Sequence, residues 1–244
     1  MERNRGAFPA TRISVVRSLG SEDRGTRHRA HDALASMYWK PVYKYIRLRW
    51  KKPREDAEDL TQEVFGQAYE KNWFADFDPS RARFRTFLRT CIDRSVIRGD
   101  RDAARQKRGG GLRIVSMDFP GAESELAFAV PEDHSDPDEL FRREWVRSVF
   151  EAAIARLRED LVSRQKAVHF ELFSRYDLHA VDGERRPTYA EVAGDVGIPV
   201  TQVTNYLALA RRRFREIVLD LLADTSGDDQ DYADSVRELL GVSP

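Results

Sequence analysis

The chain has a single cysteine, Cys91, among its 244 residues. One cysteine excludes an internal disulfide and a cysteine-rich zinc site, which suits a reducing compartment. No window approaches the roughly 18 uninterrupted apolar residues of a membrane span, and the N-terminus has no apolar segment of signal-peptide length. These absences predict a cytoplasmic protein that does not enter a membrane.

The chain also lacks a net charge, because 41 basic residues balance 41 acidic ones. The balance hides a strong segregation along the sequence. Residues 81–108 carry a net charge of plus seven, whereas residues 116–144 carry minus seven and residues 224–238 minus five. Since exposed charges act over about one Debye length, roughly 8 to 10 Å in physiological salt, local charge decides which partners each segment attracts.

Period-two alternation nowhere lasts long enough to predict a sheet, whereas apolar residues recur repeatedly at helical spacing. Pro41 interrupts the first helical segment, residues 27–48, and predicts a kink or a division there. The stripes that predict buried helix faces are Ala30, Leu34, Met37, Tyr38, Val42, Tyr45 and Ile46; Ala57, Leu60, Val64 and Ala68; Phe84, Phe87, Leu88, Cys91, Ile92, Ser95 and Val96; and Trp145, Val149, Ala152, Ala153 and Leu157.

The sequence therefore predicts an all-α fold with two small helical domains joined by a flexible acidic linker. We expect an N-terminal arm over 1–26, a helical domain over 27–106, the linker over 107–139, a second helical domain over 140–222 and an acidic extension over 223–244. Two interpretations of the extension stay open: a short helix that packs on the second domain, and a segment that binds a regulator.

Residues 187–215, PTYAEVAGDVGIPVTQVTNYLALARRRFR, have the pattern of a helix-turn-helix. Tyr189, Val192, Ala193 and Val196 give the first helix an inward stripe, and Gly197 suits the turn. In the second helix the stripe comprises Val203, Leu207, Ala210 and Phe214. The second helix of such a motif can enter a DNA major groove, although an ordinary helix pair with a solvated basic face gives the same pattern.

The outward side chains of that second helix suit DNA recognition. Asn and Gln can bond an adenine edge, and arginines near the helix end can hold phosphates. The candidate DNA-binding residues of the second domain are Thr201, Gln202, Thr204, Asn205, Tyr206, Ala208, Arg211, Arg212 and Arg213.

A second basic surface is predicted in the first domain, where arginines alternate with apolar residues along a helix. They can hold nucleic-acid phosphates while the helix buries its apolar face, or they can simply solvate a surface. The rings of Phe84 and Phe87 are expected in the core, whereas Trp73 and Phe74 in the preceding turn are candidates for exposed rings or for corner packing. The candidate arginines are Arg83, Arg85, Arg89, Arg94, Arg98, Arg101 and Arg105.

The helix that precedes these arginines carries an acidic face formed by Asp56, Asp59, Gln62 and Glu63. Asp59 and Glu63 stand four residues apart, which can in principle chelate a metal. Helical di-metal sites also use a Glu-x-x-His pair, and the chain has none, so we predict neither a metal nor another cofactor. The face is predicted to bind a basic protein surface instead.

Two segments, DAEDLTQEVFGQAYEK (56–71) with DPSRARFRTFLRTCIDRSVIRGDRDAARQKR (78–108), and TYAEVAGDVGIPVTQVTNYLALARRRF (188–214), resemble bacterial RNA polymerase sigma factors of the sigma-70 family. The short two-module form resembles the extracytoplasmic-function (ECF) class. The resemblance implies that the acidic helix binds core RNA polymerase, that the arginine-rich helix recognises and melts the minus-ten promoter element, and that the helix-turn-helix reads the minus-thirty-five element.

The chain differs from the family pattern at several of these positions. Pro199 stands where a small hydroxyl residue usually caps the recognition helix, and Thr204 and Tyr206 stand where basic residues are common. Arg94 and Arg98 replace a frequent Asn and a frequent Asp. The resemblance therefore implies promoter DNA and core polymerase as partners without implying a particular promoter sequence; an anti-sigma factor or other regulator is a further possible partner.

Two other functions are alternatives to this one. A stand-alone helix-turn-helix regulator would bind an operator without core polymerase. An enzyme acting on nucleic acid would need catalytic groups, yet the chain has no phosphate-binding glycine motif, no Cys-His or Ser-His signature and no carboxylate set suited to a metal, so we predict no enzyme and no small-molecule substrate. For the acidic linker, both phosphate mimicry near the polymerase channels and masking of a DNA-binding face are open hypotheses.

Overall fold

The structure, a computed structural model, describes residues 15–102, 117–128, 136–178 and 185–241. The described residues are helical with short turns and contain no strand, as the missing period-two pattern predicts. The helices are α1 (Val15–Ser18), α2 (Arg24–Arg49), α3 (Arg54–Glu70), α4 (Phe84–Asp102), α5 (Phe119–Phe128), α6 (Pro137–Ser163), α7 (Ala167–Phe173), α8 (Tyr189–Val196), α9 (Val200–Thr225) and α10 (Asp229–Leu240).

The described residues cluster into two compact units. The first contains those up to Ser148 together with those from Leu222 onward, and the second is Val149–Leu221. Both boundaries fall inside helices: the first, between Ser148 and Val149, lies in α6, and the second, between Leu221 and Leu222, lies in α9. None of the described helices is long and apolar enough to span a membrane.

The core of the first unit is formed by α2, α3 and α4 with the start of α6. The predicted stripe of α2 is buried throughout, from Ala30 to Ile46, and α2 continues through Pro41 as a single helix. Tyr38 and Phe84 make an edge contact with ring centres 5.7 Å apart. Leu60 and Phe87 are half-buried, and the other predicted stripe residues of α3 and α4 are buried.

The acidic segment between the two predicted domains is not wholly a linker, because it contains α5. Phe119 is buried against Trp39 and Tyr43 of α2, with ring centres 5.5 and 5.1 Å away. Glu125 accepts hydrogen bonds of 2.6 Å from Lys40 and from Lys44, so α5 docks on α2 through charge as well as apolar contact. The acids at 132 and 133 lie outside the described residues.

The acidic extension forms α10, and α10 belongs to the first unit instead of packing on the second. Asp228 caps its N-terminus by accepting a hydrogen bond from the Asp231 backbone N–H at 2.8 Å. Val236 is fully buried, and Gly227, in the turn before α10, lies against Phe77 and Pro79. The extension is thus part of the same compact unit as the arginine-rich α4.

The second unit is built from the remainder of α6 with α7, α8 and α9. Val149, Ala153 and Leu157 of α6 are buried, as are Val203, Leu207 and Ala210 of α9. The Phe214 ring is half-buried between Phe150 and Phe173, with ring centres 6.0 and 5.2 Å away. These buried positions repeat at the helical period, as predicted. Of the other residues on the predicted α6 stripe, Ala152 is half-buried and Trp145 belongs to the first unit.

Candidate polymerase and nucleic-acid interfaces

The predicted acidic face lies on the exposed side of α3. The opposite side packs through Ala57, Thr61, Val64, Phe65 and Ala68, and the Thr61 hydroxyl donates to the Ala57 carbonyl at 2.7 Å. Because burial fixes which side faces inward, the acids are turned outward: Asp56, Asp59 and Glu63 are exposed and Gln62 is half-buried.

The carboxylates of this face differ in their partners. Glu63 accepts a hydrogen bond from Gln67, four residues on. Asp56 and Asp59 have no hydrogen-bond or ion-pair partner within the part of the chain that the structure describes. Two unpaired carboxylates on one rigid helix face can complement a basic protein surface.

The predicted arginines of the first unit fall into three groups. Arg83, Arg85 and Arg89 are engaged by acidic side chains of the same unit. Arg94 and Arg98 are exposed and have no partner among the described residues. The structure describes Arg101 only as part of α4, without its side chain, and Arg105 lies outside the described residues.

Arg83 and Arg85 meet the carboxylates of α10. Arg83 donates to Asp234 at 2.7 Å and lies 3.4 Å from Glu238. Arg85 donates to Glu238 at 3.2 Å, and its guanidinium carbon lies 3.8 Å from the centre of the Trp145 ring. Arg85 is buried. The spacing of these arginines indicates a basic surface, but nothing in the sequence indicates α10 as their partner.

Arg89 belongs to a network around Asp93. The Asp93 carboxylate accepts hydrogen bonds from the Tyr45 hydroxyl and the Trp50 indole N–H, both at 3.0 Å, and from Arg89 at 3.2 Å. Arg89 also pairs with Asp138. This arginine links α4 to α2 and to the start of α6.

A groove with aromatic and basic walls runs beside the turn before α4. Phe77 and Phe87 have ring centres 5.4 Å apart at this place, and the pKa of the Cys91 thiol, which also lines the groove, is raised to about 11 by burial. In the turn before α4, Phe74 is buried and stacks on His31, with ring centres 5.1 Å apart, whereas Trp73 is half-buried. The groove is lined by Asp76, Phe77, Asp78, Arg81, Ala82, Thr86, Phe87, Thr90, Cys91 and Arg94.

In the second unit, α8 and α9 are joined by a tight turn. Thr188 and Glu191 form a reciprocal capping box at the start of α8, which lowers the pKa of Glu191 to about 2 because its carboxylate accepts hydrogen bonds from Thr188 and Arg185. Gly197 ends α8 with φ of 72°, a conformation that L side chains rarely adopt. The turn thus rests on the glycine that the sequence pattern singled out.

The predicted DNA-contacting residues of α9 are arranged along its exposed side. Tyr206 is half-buried and stacks on His169, with ring centres 4.0 Å apart and a tilt of 11°. Burial lowers the pKa of His169. The exposed residues near the start of the helix are Thr201, Gln202, Thr204, Asn205 and Ala208.

The three arginines at 211–213 are held differently. Arg211 donates two hydrogen bonds of 2.8 Å to Asp177, and Arg213 donates to Asp160 at 3.0 and 3.1 Å. Arg212 is exposed without a partner among the described residues, and it lines a groove with Arg164 and Lys166. Of the three, Arg212 is available to an anion without exchanging an internal partner.

The described residues contain no group of three or more His, Cys, Asp or Glu side chains able to hold a metal ion. The surfaces described so far are an acidic helix face, an arginine-rich helix and a helix pair with exposed polar residues. Their chemistry is that of protein and nucleic-acid recognition.

Comparison with protein families shows that residues 34–106 match the family described as Sigma-70 region 2. Searches of curated proteins and of solved structures found no match. The matched segment includes the acidic face of α3 and the arginines of α4, and its family implies core RNA polymerase and promoter DNA as partners. The match supports a sigma-70 family sigma factor with a role in transcription initiation.

Proposed function

We propose that this protein is a sigma factor of the ECF class that binds core RNA polymerase and directs it to specific promoters. The observation that carries the proposal is the match of residues 34–106 to sigma-70 region 2. In this function the protein needs no catalytic group of its own, because the polymerase supplies the chemistry. The protein would act in the cytoplasm.

The first unit would make two of the contacts. The exposed carboxylates of Asp56, Asp59 and Glu63 lie on one rigid helix and would bind a basic surface of the polymerase. The arginines of α4 would hold the phosphates of the minus-ten element. Arg94 and Arg98 are exposed and ready for such contacts, whereas Arg83 and Arg85 must first leave their carboxylate partners.

The second unit would read the minus-thirty-five element with α8 and α9 acting as a helix-turn-helix. The start of α9 presents Gln202 and Asn205 to solvent, and both side chain types can make paired hydrogen bonds to an adenine edge. Thr201 and Thr204 would contact phosphates or bases, and the arginines at 211–213 would contact phosphates. Tyr206 would act through its stack on His169, which orients the ring.

A stand-alone helix-turn-helix regulator is the second candidate function, and the exposed polar start of α9 favours it as much as it favours a sigma factor. The two functions differ in their need for core polymerase. A regulator binds duplex DNA tightly by itself, whereas a sigma factor requires the enzyme for tight and specific promoter binding.

The experiment that separates them is fluorescence anisotropy on labelled duplexes selected from a random library, with and without purified core RNA polymerase. We expect specific binding only when core polymerase is present. Equally tight and equally specific binding by the protein alone, unchanged by core polymerase, would favour the regulator and contradict the proposal.

A further inference from the structure

Helix α10 covers arginines that the proposed function assigns to DNA. Three of its carboxylates face the start of α4: Asp234 is 2.7 Å from Arg83, Glu238 is 3.4 Å from Arg83 and 3.2 Å from Arg85, and Asp231 is 3.9 Å from Arg83. These residues all belong to the first unit. A carboxylate uses the same guanidinium donors that a phosphate uses.

Glu238 is the centre of this contact. Its carboxylate collects hydrogen bonds from Arg83, Arg85 and also Arg142 of α6, the last at 3.3 Å. The Glu238 side chain is only 17% exposed, so the pairs are shielded from salt more than ordinary surface pairs are. An acidic group surrounded by three guanidinium groups occupies a site with the electrostatics of a phosphate site.

The contact is nevertheless incomplete. The Arg85 Nη1 atom and the Asp231 Oδ1 atom are both buried without a hydrogen-bond partner, and burial raises the pKa of Asp231. A buried polar atom without a partner is destabilising, which makes the covered state easier to leave. A phosphate offers more acceptor oxygens to these arginines than Glu238 alone provides.

Helix α10 is also short, so its stability depends on its contacts with the rest of the unit. The helix has 12 residues and follows a short turn at Ser226–Asp228. A helix this short is marginal by itself in water, so its order depends on what it packs against. Its buried residues are Asp231, Ser235 and Val236, and Asp234 and Glu238 make the ion pairs with Arg83 and Arg85.

We propose that α10 is an internal competitor for DNA: its carboxylates occupy Arg83 and Arg85 in the free protein and are displaced when phosphates bind there. The inference rests on the proposed function, since it takes these arginines to be DNA contacts. It accounts for the acidic extension, which lies outside residues 34–106 that match sigma-70 region 2.

The test is binding of the free, full-length protein to a labelled single-stranded DNA of about 20 nucleotides, measured by anisotropy over a range of salt concentrations. The masking pairs are removed by Asp234→Asn with Glu238→Gln, which preserve side-chain shape. We expect binding about 5 to 20-fold tighter than in the unaltered protein, with a salt dependence steeper by roughly 0.7 for each arginine released.

The matched control is Glu22→Gln with Glu159→Gln. Both glutamates are exposed and have no partner among the described residues, and the control changes the net charge by the same amount. If the higher DNA affinity came only from the altered net charge, the control variant would show the same increase, and the proposal would be overturned. Circular dichroism verifies that each variant is folded. If the double variant does not fold, the single variant Glu238→Gln takes its place.

Adding Arg83→Gln to both the unaltered protein and the Asp234→Asn, Glu238→Gln variant makes a double-mutant cycle. Because Arg83 is covered in the unaltered protein, we expect this change to cost several-fold more affinity in the Asp234→Asn, Glu238→Gln background than in the unaltered one. Equal losses in both backgrounds would overturn the proposal. These binding measurements need no polymerase, so a negative result would leave polymerase-dependent initiation intact. If Arg83→Gln has unequal effects in the two backgrounds but promoter binding does not depend on core polymerase, only the proposed function is contradicted.

Discussion

The guanidinium carbon of Arg85 lies 3.8 Å from the centre of the Trp145 ring, and both side chains are buried. The planar guanidinium stacks on the indole while its Nη2 atom reaches Glu238. Lysine has the same charge but neither the plane nor the fork of donors, so it cannot keep both contacts.

We therefore predict that Arg85→Lys lowers the free energy of unfolding of the first unit by about 1 to 3 kcal/mol. Urea unfolding followed by tryptophan fluorescence measures this, because Trp39, Trp50, Trp73 and Trp145 are the only four tryptophans and all lie in the first unit. Arg94→Lys, at an exposed position, is the control and should change stability by less than about 0.5 kcal/mol. Equal effects of the two changes would contradict the structure.

Two glycines of the α8 segment should respond in opposite directions to alanine. Gly197 has φ of 72°, whereas Gly194 lies within α8, and a Cβ at either position meets nothing within 4 Å. Gly197→Ala should destabilise the second unit by about 1 kcal/mol through backbone strain. Gly194→Ala should stabilise it by about 0.5 to 1 kcal/mol, since alanine is the better helix former.

The second unit has no tryptophan, so circular dichroism during urea unfolding is the measurement for this pair. Gly194→Ala and Gly197→Ala serve as controls for each other, because both changes add one methyl group to an exposed position. A stabilising Gly197→Ala would show that the turn does not have a left-handed residue at this position.

His31 should make the stability of the first unit depend on pH. It is 1% exposed, stacked on Phe74, and its Nε2 atom has no hydrogen-bond partner. Burial lowers the pKa of His31 from 6.5 to about 4. The unfolded chain therefore binds a proton that the folded chain does not, and the contribution to stability present above pH 6.5 is lost as the pH falls toward 4.

The variant His31→Phe keeps an aromatic side chain at this position but removes the titratable imidazole. Between pH 7 and pH 4.5, we expect the unfolding free energy of the unaltered protein to fall by roughly 2 kcal/mol more than that of His31→Phe. Parallel pH profiles for the two proteins would contradict a buried, neutral His31.

Reversing one charge on the acidic face of α3 should weaken polymerase binding without unfolding the protein. Asp59 is exposed and unpaired among the described residues, so Asp59→Lys should cost less than about 0.5 kcal/mol in stability. Affinity for core RNA polymerase should fall about 10-fold or more, because a lysine would oppose a basic surface. Glu22→Lys, the same change at another exposed acid, should leave that affinity within about 2-fold.

The helical period predicted the buried faces of α2, α3, α4 and α9, because each of those faces is continuous in sequence. It could not predict α5, whose docking depends on Glu125 meeting Lys40 and Lys44 more than 80 residues earlier in the chain. Composition alone classes such an acidic, proline-flanked stretch as a linker.

The same limit applies to the arginines of α4. Their spacing indicated a basic surface, but whether a guanidinium faces solvent, an aromatic ring or a carboxylate depends on which distant element packs there. Glu238 lies 153 residues from Arg85, and nothing local to either residue indicates the pair. The sequence of the acidic extension is compatible with a helix that packs on the second domain or with a regulator-binding segment, and only tertiary packing places it in the first unit.

Transcription by purified core RNA polymerase on a library of upstream regions, with the RNA 5′ ends sequenced, tests the central claim most directly. With this protein added, we predict initiation at a subset of templates that share two sequence elements, and none of those starts with core polymerase alone. An identical set of starts with and without the protein, together with no binding of the protein to core polymerase, would contradict a sigma factor.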